Sequence, residues 1–349
     1  MARPGFRLAL LATALALVVV LLGAYTRLTH AGLGCPDWPG CYGFIAVPSS
    51  DAQLAHAQAR FPEHPVEAEK GWSEMVHRYC AGSLALLVGL LAIQAWRRHG
   101  SDGQPYRLPL ALLGVIVAQA AFGMWTVTLK LWPQVVTSHL LGGFATLSLL
   151  LLLSLRLSGA FAPLPAVSPR LRRWALLGLS LVIGQIALGG WVSSNYAAMA
   201  CTDFPLCQGQ WLPDADFANG FHLAQHIGPN YLGGHLDSEA RTAIHLTHRA
   251  GACVLSLVLL GLAWRLRVEG LGRLSVGVLA ALALQVGLGI SNVVLHLPLA
   301  VAVAHNAGGA ILLMTLIVVN YRLRWVTVPR AVAQRRAWRP HLPVTWPGK

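Results

Sequence analysis

Long apolar runs alternate with polar breaks from residue 6 to residue 321. The runs fall near 6–27, 74–96, 108–129, 135–156, 174–195, 242–264, 274–295 and 299–321. Each approaches the ~20 residues that a hydrocarbon core asks of a helix. The pattern predicts an all-α membrane protein with eight transmembrane helices. Two breaks are much longer than the others, residues 28–73 and 196–241.

The pattern repeats within the chain. At an offset of 166, Gly23 meets Gly189, the Cys35 to Cys41 stretch meets Cys201 to Cys207, Gln119-x3-Gly123 meets Gln285-x3-Gly289, and His139 meets His305. His77-Arg78 meets His248-Arg249 at an offset of 171, which makes the second long break about five residues longer. Such self-similarity predicts two homologous four-helix bundles. An even number of spans in each makes them parallel repeats. The expected division is 1–158 and 173–322, with a linker at 159–172 and a basic tail at 323–349.

Composition narrows the class. Of 349 residues, 55% are apolar and 11% charged, which excludes an ordinary soluble domain. The net charge of +13 has a membrane explanation rather than a nucleic-acid one. Nineteen of the 26 Lys and Arg residues fall on one side of the eight spans. The positive-inside rule makes that side cytoplasmic, with both termini inside and both long breaks outside. Residues 1–25 resemble a signal peptide in outline, but their end matches the end of span five, so they are read as part of the fold.

Cys35 and Cys41 lie in the first outer loop, and Cys201 and Cys207 in the second. An oxidising compartment favours two short-range disulfides. A zinc site drawing four thiolates from both loops is the rival. The loop histidines His30, His56, His64, His222, His226 and His235 are read as solvated.

Four histidines sit inside spans at repeat-related positions: His77 and His139, then His248 and His305. A lone intramembrane histidine is commonly a satisfied core residue, whereas two matched pairs point to a cofactor. Imidazole suits iron, and two imidazoles from facing helices suit the axial positions of haem. Gly142-Gly143 and Gly308-Gly309 leave room either for a flat macrocycle or for close helix packing. Arg78 and Arg249 follow the first histidine of each pair and are candidate propionate partners or surface-seeking side chains. Arg27 is a third candidate. The two halves differ at one telling place. Glu74 precedes His77 by one turn, and its counterpart in the second half is His245. A carboxylate beside only one of two haem sites suggests proton chemistry there.

Together these features resemble the haem A synthase family of bacterial and mitochondrial membrane enzymes. The resemblance rests on the eight spans, the stretch from Thr26-Arg27 through Gly34-Cys35-Pro36-Asp37-Trp38-Pro39, the Glu-x-x-His-Arg of 74–78 and the other three histidines. It implies an oxidoreductase that turns haem O into haem A by oxidising the C8 methyl twice, to a formyl group, with water as the oxygen source. His77 and His139 would ligate the substrate haem iron, His248 and His305 a resident haem b, and Glu74 would be catalytic. It implies residence in a bacterial inner membrane with periplasmic cysteine loops, and a place in cytochrome oxidase assembly. The implied partners are haem O synthase, a quinone or other membrane electron acceptor, and a second copy of the chain; none is a nucleic acid. A non-enzymatic di-haem electron carrier or a haem carrier is the alternative.

Overall fold

The computed structural model describes residues 2–100, 104–159, 164 and 167–324. The expected basic tail lies almost wholly outside the described residues, as does part of the 159–172 linker. Ten helices are present among them: α1 (Phe6–Leu28), α2 (Asp51–Arg60), α3 (Ala68–Arg97), α4 (Arg107–Thr128), α5 (Pro133–Ser158), α6 (Pro169–Ser194), α7 (Phe217–Gly220), α8 (Ser238–Val268), α9 (Gly272–Val294) and α10 (Leu299–Arg324). All but α2 and α7 are long and apolar enough to cross a membrane. The chain is a multi-pass, all-helical membrane protein.

Local chemistry sets the helix ends. Ser168 accepts a hydrogen bond from the Leu171 amide, and Pro169 occupies the first position of α6. Asp237 does the same for α8 through the Ala240 amide at 2.9 Å. Gly159, at φ 58°, ends α5 in the left-handed region. In the first long loop, a capping box of Ser50 and Gln53 starts α2.

Two spans start earlier than the apolar pattern suggests. α3 begins at Ala68 rather than 74, and α8 at Ser238 rather than 242. Their first turns carry Glu69, Lys70, Glu239 and Arg241, which interrupt hydropathy without interrupting the backbone ladder. His77 and His248 therefore stand in the third turn of their helices, not the first two.

α1 packs on α3 and α5, and α4 packs on the same two. In the same way α6 packs on α8 and α10, as does α9. The groups meet through α5–α6, α1–α10 and α5–α10. Leucines such as Leu150, Leu153, Leu259 and Leu316 fill a core continuous across this seam. Polar contacts close it at both ends: Thr137 with Ser194 at 3.1 Å, and the Tyr321 hydroxyl donating to the Leu155 carbonyl at 3.1 Å. Leu86 and Leu257 are more than 70% exposed, as lipid-facing side chains should be.

The two cysteine-bearing loops are tied internally. Cys35 bonds to Cys41, and Cys201 to Cys207, so the thiols pair within their own loops rather than converging on zinc. Asp37 accepts from the amides of Tyr42 and Gly43, and Asp203 from those of Gln208 and Gly209. The Gly209 and Gln208 amides hold the Asp203 carboxyl below the usual carboxylate range. The second loop also crosses to the first half: the Trp132 indole donates to Gln225, and the Gln134 amide to Leu223.

Candidate functional site

Each of the four intramembrane histidines is seated against a glycine of a neighbouring helix. A methyl group at Gly23 of α1 would come within 3.0 Å of Cε1 of His77 on α3. The corresponding separations are 3.4 Å for Gly123 and His139, 3.3 Å for Gly189 and His248, and 3.1 Å for Gly289 and His305. These glycines are notches that fix ring position. His77 and His139 stand on α3 and α5, which both pack on α1 and α4, and His248 and His305 on α8 and α10, which both pack on α6 and α9.

The ring atoms fit a metal-bound group. Nδ1 of His77, His139 and His305 is buried with no hydrogen-bond partner. The rings themselves are only partly buried. Two imidazoles from separate helices of each group, three of the four with an unpartnered Nδ1, suit the donor set of an axially ligated haem. His248 differs: the Gln185 amide lies 3.1 Å from its Nδ1 and donates to its backbone carbonyl at 2.8 Å. The Gln285 amide lies 3.4 Å from Nε2 of His305.

The first glycine of each double-glycine pair receives a glutamine of a neighbouring helix. A side chain at Gly142 would overlap the Gln119 amide, and one at Gly308 the Gln285 amide. Gly251 likewise accommodates Gln185. The glutamines thus pack against these glycines across the helix contacts.

Glu74 is 5% exposed and fully engaged. Its carboxylate pairs with Arg78 at 2.6 Å and accepts from the Cys35 amide at 2.9 Å. Arg78 donates to the loop carbonyls of Asp37, at 3.0 Å, and Gly40. In the second half His245 takes the same place, with Nδ1 accepting from the Cys201 amide at 3.3 Å. Arg249 contacts Nε2 of His245 and donates to Leu206 and Asp203. Both arginines therefore hold the disulfide loops, and neither lies free at the surface. Arg27 spans the two halves. Its Nη2 donates to the Ser193 carbonyl at 2.5 Å, its guanidinium sits 3.9 Å above the Tyr196 ring, and its Nε is buried without a partner.

Residues 6–317 match the COX15-CtaA family, described as cytochrome oxidase assembly protein. The chain belongs to that family. The Heme A synthase of Shewanella oneidensis is 52% identical over 309 residues, covering 88% of this chain and 93% of the relative. That of Allorhizobium ampelinum is 30% identical over 320 residues, 84% of each chain. That of Caulobacter sp. (strain K31) is 28% identical over 332 residues, 89% of this chain and 93% of the relative.

In this COX15-CtaA family member the loop histidines expected to be solvated, His30, His56, His64, His222, His226 and His235, are all exposed. Two features escaped sequence reasoning. The glycine notches were visible as Gly23, Gly123, Gly189 and Gly289 at fixed offsets, but nothing in the sequence tied them to histidines. The tether role of Glu74 and His245 depends on backbone amides, which have no sequence signature.

Proposed function

We propose that this COX15-CtaA family member is an enzyme of haem A biosynthesis that converts haem O to haem A. The observation that carries the reading is a buried carboxylate, Glu74, beside one of two alike histidine pairs, with a histidine in its place beside the other. His77 and His139 hold the substrate iron. Gly23 and Gly123 prevent their rings from drifting, which fixes the substrate methyl relative to Glu74. His248 and His305 hold a haem b, which would supply one-electron redox chemistry when bound. Gln185 and Gln285 orient that second pair.

Each oxidation of the C8 methyl, with water as oxygen source, releases two electrons and two protons. The first gives an alcohol, and the second a hydrated aldehyde that loses water to the formyl. At each step Glu74 would take up one of the two protons and pass it to water before the next, the other would go to water directly, and Arg78 offsets the carboxylate charge between steps. The electrons leave the membrane site towards a quinone or similar acceptor. Arg27, with its free Nε between the two halves, is the propionate partner best supported by geometry. Arg78 and Arg249 contribute by holding the loops closed.

This reading places the two four-helix halves as parallel repeats in a bacterial inner membrane, with termini in the cytoplasm and disulfide loops in the periplasm. Haem O synthase is the expected source of substrate, and self-association is expected. Expression of Glu74→Ala and Glu74→Gln with haem O supplied, followed by analysis of extracted haems, tests the role of the carboxylate. Loss of haem A with haem b retained supports it; a normal haem A yield from both variants rejects it.

A further inference from the structure

A cleft of about 550 Å³ opens between the two helix groups, at the end of the bundle where the chain starts and α10 ends. It is separate from the histidine sites: Leu152 in its wall lies roughly 20 Å along α5 from His139. The wall is apolar, with Leu149, Leu152, Leu179 and Ile317. The rim carries Arg3, Arg156 and Arg324, brought from the start of the chain, the end of α5 and the end of α10.

Among the described residues no carboxylate lines the cleft. Among the described residues none of the three arginines forms an ion pair. A single arginine at a helix end needs no partner, because it can reach the interface. Three that converge over an apolar slot from separate parts of the chain leave positive charge and greasy surface side by side. That combination matches an amphiphile with a phosphate head and an acyl tail. Guanidinium groups bind phosphate in bidentate fashion, and basic pockets between membrane helices take anionic headgroups.

We propose that this cleft binds an anionic phospholipid of the surrounding bilayer, with its phosphate at Arg3, Arg156 and Arg324 and an acyl chain along Leu149 and Leu152. The lipid touches α5, α6 and α10 together, so it reinforces the seam between the halves.

The test uses the full chain, stripped of lipid in detergent and titrated with phosphatidylglycerol, phosphatidylcholine or inorganic phosphate. Retained lipid is read by native mass spectrometry and thermal unfolding by circular dichroism. Phosphatidylglycerol should stay bound and raise the unfolding temperature, while the other two should not. The triple variant R3Q/R156Q/R324Q should lose at least ten-fold in retention. Leu152→Trp, which fills the slot and keeps the arginines, should do the same; Ser148→Phe replaces it if that variant lacks native helix content. Arg97→Gln, an exposed arginine that does not line the cleft, should have no effect. The proposal is overturned if the triple variant or the slot-filling variant retains lipid like the wild type. It is equally overturned if Arg97→Gln matches the triple variant, or if phosphatidylcholine or inorganic phosphate protects as well as phosphatidylglycerol.

Discussion

The Glu74 carboxylate accepts a hydrogen bond from the Cys35 backbone amide at 2.9 Å. The residue singled out for chemistry is thus also the tether of the first disulfide loop. His245 ties Cys201 in the same way without a negative charge. Loop attachment accordingly does not require a carboxylate, and the acid in the first half answers to something else.

Glu74→Gln separates these two roles. The amide oxygen can still accept from Cys35, so the loop should stay in place and haem b should be retained. Haem A formation should fall by a factor on the order of 10²–10⁴, the usual range for a general acid–base group. Extracted-haem chromatography reads both quantities from one sample.

Arg78→Ala should destabilise the protein strongly. It leaves the buried Glu74 carboxylate unpaired and frees the Asp37 and Gly40 carbonyls together. Removing one partner of a buried pair costs about 3–5 kcal/mol. Thermal unfolding in detergent should show the loss, and Arg78→Lys should recover only part of it because a single ammonium cannot serve both sides.

The glycine notches predict selective loss of one haem at a time. Gly23→Leu drives a side chain into the His77 ring, and Gly189→Leu into that of His248. The first should abolish substrate-haem binding with haem b intact, and the second the reverse. Visible spectra of purified protein with and without added haem O distinguish the two outcomes.

Much of this was legible in the sequence because membranes impose simple rules. The eight spans follow from hydropathy, and the histidine pairs from their offsets. What the sequence hid depends on contacts without a pattern. The polar first turns of α3 and α8 look like loop, since Glu69 and Arg241 break the apolar run. Gly142 and Gly308 mark either a flat macrocycle or close packing, and only the structure shows Gln119 and Gln285 of neighbouring helices against them. Arg27 looks like an end anchor and instead bridges to Ser193, a partner 166 residues away.

That bridge should weaken in acid. His30 stacks on Tyr196 with ring centroids 5.5 Å apart, and burial, then the charges of Arg27 and Lys70, hold its pKa below the ordinary histidine value. The unfolded chain therefore takes up the proton more readily, and stability drops as pH falls from about 6.5 through the depressed folded value. Above that window the contribution is fully present. Unfolding temperatures measured from pH 7.5 to 5 should decline more steeply for wild type than for His30→Gln.

The central claim is that two like histidine pairs serve different haems, and one measurement addresses it directly. His77→Ala and His305→Ala are expressed with haem O supplied, and the haems extracted from each purified protein are separated and quantified. The account predicts that His77→Ala keeps haem b and yields no haem A, whereas His305→Ala loses haem b. Equal loss of both haems in the two variants, or haem A from His77→Ala at the wild-type level, would contradict it.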